Sequence, residues 1–248
     1  MSKVAIVTGA TSGIGAAIAA QLVKEKYQVI NFDLRLPNAD QPGVTSIECD
    51  VSREDSVEAA YRIVKDKFGP AAVLVNNCGL QFMSPIEEFP KDKWDLLIGV
   101  LLTGTFLCSK AVFKDMKTAG FGRIINISSV HGKLASPFKA AYVAAKHGVL
   151  GLAKVMAVEG AEFGITVNSI CPGFVDTPLM REQVKSQMEL NNLSETEVLA
   201  QVFLKAQNVK KLTDPTQVAG LVSFLVSDNA STITGEAYNI SGGWGMGL

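Results

Sequence analysis

Residues 4–15 read VAIVTGATSGIG, and this stretch decides the fold. Val4–Thr8 is a short apolar, β-branched run that predicts a buried strand, and a helical pattern begins directly after it. The same alternation of strand and helix continues along the chain. Six more strands are predicted, at Val29–Asp33, Thr45–Cys49, Ala72–Asn76, Arg123–Ser128, Thr166–Ile170 and Glu236–Ile240. Because these runs lack polar alternation, we expect an α/β fold with a parallel sheet that helices cover on both faces.

The bulk composition limits the classes of function. The 248 residues are 48% hydrophobic and no low-complexity linker divides them, so we expect a single domain over residues 1–248. A net charge of −1 gives no basic field for nucleic acid or an anionic membrane. The N-terminus has no signal-peptide pattern, and the longest apolar run, Leu96–Cys108, is too short to span a bilayer. We interpret that run as a buried or subunit-facing helix.

The cysteines indicate a reducing environment. Four are scattered along the chain without C-x-x-C spacing, and neither histidine sits where a zinc site would need it. The cysteines are Cys49, Cys78, Cys108 and Cys171. We therefore predict a reduced, cytoplasmic protein without a metal site.

One segment, residues 178–212, departs from the strand–helix alternation. It is polar and begins a helix at Ser194-x-x-Glu197, which is a capping-box pattern, and Asp214 then caps a further helix that starts with a proline. An inserted helical segment after a strand end is where a lid would lie over a site. A solvated helical pair without a gating role is an equal alternative.

The turn after the first strand carries a phosphate-binding pattern. Gly9, Gly13 and Gly15 permit a tight turn and close approach of backbone amides to a pyrophosphate at the start of the next helix. Asp33 ends the second predicted strand, where a carboxylate accepts hydrogen bonds from an adenosine ribose and repels a 2′-phosphate. The pattern therefore favours NAD over NADP as cofactor. Arg35 is close enough to temper this preference, although a solvated surface arginine is the simpler interpretation.

A second pattern suggests acid–base chemistry. Ser129 precedes Tyr142 by thirteen positions, and Lys146 lies four residues after that tyrosine. On a helix this spacing puts the phenol and the ammonium on one face, where the positive charge can lower the pKa of the tyrosine from about 10. Any Y-x-x-x-K on a surface helix has the same spacing, so the pattern needs support from the rest of the chain.

That support is a resemblance to the short-chain dehydrogenase/reductase family. Five ordered motifs over essentially the whole chain carry it, namely Gly9/Gly13/Gly15, Asn76-Asn77-Cys78-Gly79, Ser129, Tyr142/Lys146 and Pro172-Gly173. The resemblance implies a single-domain, Rossmann-like three-layer sandwich with a seven-stranded sheet, a small helical lid, and a dimer or, more often, a homotetramer. It also implies a set of cofactor-binding positions: Gly9, Thr11, Ser12, Gly13, Ile14, Gly15, Asp33, Asp50, Val51, Asn76, Gly79, Tyr142, Lys146, Pro172, Gly173, Val175 and Thr177.

The family mechanism assigns a role to each member of the catalytic set. Tyr142 would be the general base, Lys146 would lower its pKa and hold the nicotinamide ribose, and Ser129 would orient the reacting oxygen. Many members complete a water-linked proton relay with an Asn, and this chain has Leu101 at that position. The relay therefore runs through other groups, or turnover is slower.

Within the family, the segments NNCGLQ, SVHG and FKAAYVAAKHGV resemble the D-3-hydroxybutyrate dehydrogenases. The resemblance implies a clamp for a small carboxylate substrate. Its members would be Gln81, Ser129, His131, Lys139, Tyr142, Gln183 and Trp244, with Gln183 on the lid and Trp244 closing the pocket.

Simpler interpretations of the clamp residues stay open. Lys139 could be a solvated charge, Gln81 a loop residue, His131 a local cap and Trp244 an interface aromatic. Two rival functions also remain: turnover of another small hydroxy acid or polyol, and a non-catalytic nucleotide-sensing protein.

Overall fold

The backbone forms one seven-stranded parallel sheet in the order β3-β2-β1-β4-β5-β6-β7. The computed structural model describes residues 3–36 and 41–247; the ends of the predicted domain and residues 37–40 lie outside the described residues. The strands are β1 Val4–Thr8, β2 Gln28–Asp33, β3 Val44–Glu48, β4 Ala71–Asn76, β5 Gly122–Ile127, β6 Ile165–Pro172 and β7 Ala237–Ile240. The seven predicted strands are confirmed, with bounds that shift by one or two residues at most ends.

Helices connect the strands and cover both faces of the sheet. They are α1 Gly13–Lys24, α2 Glu54–Phe68, α3 Lys91–Ile98, α4 Gly104–Ala119, α5 Ala140–Gly160, α6 Pro178–Asn191, α7 Glu195–Val198 and α8 Pro215–Val226. A π turn, Gly99–Thr103, joins α3 to α4 into one long helix. The predicted caps are confirmed, because Ser194 and Asp214 each form a capping box and Pro215 is the first residue of α8.

The core lies in two layers because successive residues of a strand point to opposite faces. Ile6 of β1 packs in the layer that contains residues of α2, α4 and α5. Ala5 and Val7 of the same strand pack in the opposite layer with residues of α1 and α8. All five residues of β1 are buried, which explains why the strand sequences show no polar alternation.

Two helices are long and apolar enough to cross a membrane by length and composition alone. They are Lys91–Ala119, which contains the apolar run Leu96–Cys108, and Ala140–Phe163. Core helices of soluble proteins meet the same criteria, and buried residues of both helices pack in the core layer beside β4 and β5. The run therefore forms a partly buried helix, as its sequence predicts.

Residues 178–212 build a small helical unit with its own apolar cluster. Met180, Val184, Val198 and Phe203 are buried together in it. The Arg181 guanidinium forms ion pairs at 2.6 Å with both Asp176 and Glu195. The segment is thus a packed unit at the carboxyl end of β6, where the sequence predicts a lid.

Candidate active site

A cleft of about 530 Å3 runs along the carboxyl edge of the sheet. The strand order reverses between β1 and β4, and the loops after these strands both line the cleft. In open α/β sheets this switch point is where ligands bind. The residues after β2, β3, β5, β6 and β7 complete the walls, so the fold gathers side chains from the segments that follow all seven strands.

The glycine turn after β1 is closely packed. Gly9 and Gly13 have φ values of +68° and +57°, which side chains with a Cβ rarely adopt. A Cβ on Gly15 would lie 2.2 Å from the carbonyl oxygen of Gly9, so only glycine fits there. Ser12 and Ile14 line the cleft at the start of α1, where backbone amides of the first helical turn have no helical partner.

The carboxylates at the adenosine end are both in the cleft lining. Asp33 ends β2, and its Oδ2 accepts a hydrogen bond of 2.6 Å from the Thr11 hydroxyl. Asp50 follows β3, and its Oδ1 accepts hydrogen bonds from the amide and the hydroxyl of Ser52. Both carboxylates are therefore held in place by hydrogen bonds from neighbouring residues, and among the described residues neither forms an ion pair.

Twelve of the predicted cofactor positions outside the catalytic set line the cleft: Gly9, Ser12, Gly13, Ile14, Asp33, Asp50, Val51, Gly79, Pro172, Gly173, Val175 and Thr177. Three do not: Thr11, Gly15 and Asn76. Thr11 donates a hydrogen bond to Asp33, which lines the cleft, and Gly15 packs closely against the carbonyl of Gly9, which also lines it.

Asn76 requires a correction, because it points away from the cleft. Its side-chain amide donates to Ser109 and Asn126 in the core. Asn77 lines the cleft instead, and its amide donates to the carbonyl oxygens of Thr8 and Gly9 at 2.9 and 3.1 Å. Asn77 thereby ties the loop after β4 to the glycine turn. The strand period of two could have identified it, since neighbouring residues at a strand end face opposite ways.

The catalytic set converges on the middle of the cleft. Ser129 caps a short turn after β5, with its hydroxyl accepting from the His131 amide at 3.2 Å, and its side chain acts to lower the pKa of the Tyr142 phenol. Lys146 lies one turn further along α5 and is only 5% exposed. Its ammonium donates to the Ile127 carbonyl at 2.7 Å and lies 5.7 Å from the centroid of the Tyr142 ring.

The predicted clamp residues also line this cleft. The Gln81 side-chain nitrogen is buried and has no hydrogen-bond partner among the described residues. Lys139 immediately precedes α5, and burial lowers the pKa of its ammonium. Gln183 reaches the cleft from α6, and Trp244 stacks on Phe174 with ring centroids 5.3 Å apart.

His131 is more constrained than a simple clamp residue. Its side chain is 4% exposed, its Nε2 lies 2.8 Å from the Ser136 hydroxyl, and its Nδ1 lies 3.4 Å from the Ser129 hydroxyl. Burial, followed by the charge of Lys139, lowers the pKa of His131 to about 4, so the ring is neutral. Both nitrogens already have partners, and a bond from either to a substrate would replace one of these contacts.

A family model described as short chain dehydrogenase matches residues 3–188. The chain belongs to this family. It is therefore an oxidoreductase, and members of the family use a nicotinamide cofactor.

Relatives of this short-chain dehydrogenase span its full length. It is 43% identical to D-beta-hydroxybutyrate dehydrogenase of Rhizobium meliloti, covering 98% of this chain and 99% of the relative. It is 37% identical to acetoacetyl-CoA reductase of Shinella zoogloeoides, with 98% of each chain covered. The solved structure of an actinorhodin polyketide ketoreductase variant with NADPH superposes with a TM-score of 0.90 at 34% identity, covering 99% of this chain and 98% of that one.

The residues of the cleft fit a dinucleotide. The glycine turn brings backbone to the cleft where a Cβ would collide, which suits a pyrophosphate. Asp33 lies at the end of β2, 18 residues after Gly15, where the family holds a ribose. Nothing in this arrangement resembles a metal centre: among residues 3–36 and 41–247, no three His, Cys, Asp or Glu side chains are grouped to bind an ion.

Burial dominates the electrostatics of the catalytic pair. The pKa of Tyr142 is raised, mainly because burial disfavours the phenolate, while the Ser129 hydrogen bond acts in the opposite direction. That Lys146 lowers this pKa stays a prediction; the Lys146 ammonium is buried and donates to the Ile127 carbonyl. Burial lowers the pKa of Lys146 to about 8.

Leu101, which replaces the Asn of the family relay, lies in an apolar cluster. It is 1% exposed and packs with Leu97, Ala141 and Ala145 beside Tyr142. Its side chain offers no hydrogen-bonding atom, and its carbonyl accepts from the Thr105 hydroxyl at 2.8 Å. This side of the tyrosine therefore lacks the polar side chain that a relay requires.

Proposed function

We propose that this short-chain dehydrogenase interconverts (R)-3-hydroxybutyrate and acetoacetate with NAD. One observation carries the proposal: a buried amide donor without a partner and a half-buried ammonium line the same cleft as the catalytic tyrosine. These groups are the Gln81 side-chain nitrogen and the Lys139 ammonium. Among the described residues, no hydrogen bond or ion pair is formed by the Lys139 ammonium.

A small carboxylate satisfies both groups at once. A buried donor without an acceptor costs about 1–3 kcal/mol, so a cleft that contains one favours a ligand that supplies an acceptor. An ammonium that has lost part of its hydration favours an anion over a neutral group. The carboxylate of a 3-hydroxy acid has two acceptor oxygens and lies two carbons from the carbinol carbon. A free acid therefore fits better than the neutral thioester of an acyl-CoA.

The residues of the cleft divide the chemistry among them. When bound, the nicotinamide supplies the hydride acceptor and, in its oxidised form, a positive charge. Ser129 orients the alcohol oxygen, and Tyr142 takes the proton of that oxygen. Since burial raises the pKa of Tyr142, the phenolate requires nearby positive charge, and the Lys146 ammonium is the protein's own source.

The choice of NAD rests on Asp33. Its carboxylate lies in the cleft at the end of β2, where it would repel a 2′-phosphate. The NADPH in the related ketoreductase structure makes this a question for experiment.

The assembly and location of the protein are further parts of the proposal. Several apolar side chains on the long helices are exposed, including Phe106 at 46% and Val158 at 80%. A homotetramer that covers these faces would remove this surface from water. Because the net charge of −1 provides no basic surface for nucleic acid or an anionic membrane, we propose that the enzyme is cytoplasmic and has neither as a partner.

A substrate panel tests the proposal. Purified protein is mixed with 3-hydroxy acids, the methyl ester of 3-hydroxybutyrate, polyols and acetoacetyl-CoA, and the nicotinamide absorbance is followed with NAD and with NADP. We expect the highest kcat/KM for (R)-3-hydroxybutyrate with NAD. A higher value for the ester or for the CoA thioester would overturn the assignment. In the same assay Tyr142→Phe should bind NAD and be inert, whereas an inactive wild type that binds NAD would favour the nucleotide-sensing alternative.

A further inference from the structure

A line of hydrogen bonds crosses the wall between the active-site cleft and a second cavity. This outer cavity has a volume of about 440 Å3 and lies on the far side of the segment 133–139. Ser129, His131 and Tyr142 line the cleft, whereas Ser136 lines only the outer cavity. The bond of 2.8 Å between His131 Nε2 and the Ser136 hydroxyl therefore joins the two spaces.

The line begins beside the catalytic phenol. Ser129, whose side chain acts to lower the pKa of Tyr142, has its Oγ 3.4 Å from His131 Nδ1. His131 is 4% exposed, so bulk water does not reach the ring directly. No other hydrogen bond of the Ser136 hydroxyl is formed within residues 3–36 and 41–247, so this oxygen is available to water in the outer cavity.

The tyrosine also packs against an apolar cluster. Leu101, which replaces the Asn of the family relay, and its apolar neighbours form this cluster. Lys146, one turn further along α5, donates to the Ile127 carbonyl and is buried. Tyr142 therefore borders both this apolar cluster and the polar line through Ser129 and His131.

We propose that Ser129, His131 and Ser136 form the proton path between Tyr142 and solvent in this enzyme. This inference rests on the proposed function only in requiring that the protein oxidises an alcohol with a nicotinamide cofactor. During oxidation the C–H bond breaks and its electron pair leaves with the hydride to the nicotinamide, while the O–H proton goes to the Tyr142 phenolate and the carbonyl forms. One proton must then leave the tyrosine.

The path moves that proton without creating a new buried charge. The tyrosine proton passes to Ser129 Oγ as the Ser129 proton passes to His131 Nδ1. The proton on His131 Nε2 passes to Ser136 Oγ as the Ser136 proton passes to water in the outer cavity. Imidazole is suited to this step because its two nitrogens exchange donor and acceptor roles. Because burial keeps the His131 ring neutral, the ring passes the proton on by changing from one tautomer to the other and does not become an imidazolium.

Ser136→Ala is the direct test, with Ser84→Ala as its matched control. Ser84 lines the same outer cavity, and its side chain forms no hydrogen bond within the described residues. For Ser136→Ala we expect kcat to fall about 100-fold, at the lower end of the range for lost acid–base assistance, while the substrate KM stays unchanged. The solvent deuterium isotope effect on kcat should rise. Added imidazole buffer should restore kcat in this variant only, and Ser136→Thr should retain wild-type turnover.

A second readout does not depend on turnover. Nitrogen-15 NMR of the histidine rings reports which nitrogen of His131 carries the proton. We expect the Nε2–H form in the wild type and a mixture of tautomers in Ser136→Ala. Wild-type kcat and isotope effect in Ser136→Ala, or an Nδ1–H ring in the wild type, would overturn the path. A wild type that turns over a different alcohol would refute the substrate assignment and leave this test intact.

Discussion

Replacing Lys139 with alanine tests the carboxylate clamp at its charged member. Lys139 is half-buried at the start of α5, and burial lowers the pKa of its ammonium, so a substrate carboxylate would meet a partly desolvated charge. A hydrogen bond to a charged group contributes about 1.5–3 kcal/mol. Because about 1.4 kcal/mol is a factor of ten, kcat/KM for 3-hydroxybutyrate should fall roughly 10- to 150-fold in Lys139→Ala, mostly through KM.

The assay compares charged and neutral substrates. Initial rates are measured with 3-hydroxybutyrate and with its methyl ester, which lacks the charge. The ester should be almost insensitive to Lys139→Ala, so the preference of the enzyme for the acid should collapse. Lys154→Ala is the matched control, because Lys154 lies on the same helix with an exposed side chain. An unchanged KM for the acid in Lys139→Ala, or an equal loss with the ester, would refute the clamp.

Three further substitutions address other parts of the site. Gln81→Met removes the unpaired buried donor, so the free energy of unfolding should rise by about 1 kcal/mol in urea titrations while the KM for the acid increases; a loss of stability would contradict this. Because burial lowers the pKa of Lys146 to about 8, its side chain is protonated in both the folded and the unfolded chain below pH 8. Between pH 8 and 10.5 only the unfolded chain keeps the proton, so the contribution of Lys146 to the free energy of unfolding should rise by about 3 kcal/mol. Urea titrations at pH 7.5 and 10.5 should show no such rise in Lys146→Met. Equal changes in the free energy of unfolding of the wild type and Lys146→Met between these pH values would disprove the prediction. Asp33→Ser should shift the ratio of kcat/KM for NADP over NAD upward by about tenfold or more, with Asp92→Ser, an exposed carboxylate on α3, leaving the ratio unchanged.

The local patterns of the sequence predicted the fold well because each is a short-range property. Capping boxes at Ser194 and Asp214 depend on residues within one helical turn, and both are present. The central strands β1 and β4 are almost entirely apolar because both faces of the sheet are covered. The carboxyl ends of these parallel strands lie at one edge of the sheet, so the residues that follow them meet in one cleft.

The side-chain chemistry of the site was less predictable. Asn76 and Asn77 are adjacent and identical in type, and only the direction of the strand end decides which one enters the cleft. Spacing placed Tyr142 and Lys146 on one helical face, but the sign of the pKa shift at the tyrosine depends on burial by distant elements.

The sequence by itself determined the parallel sheet, the glycine turn and the one-turn separation of Tyr142 from Lys146, because these follow from backbone geometry and residue spacing. The tertiary structure alone decided that Ser136 reaches His131 across the wall of the cleft and that Leu101 packs beside Tyr142. Such contacts depend on how separate segments pack, and desolvation is a property of that packing rather than of any short stretch of chain.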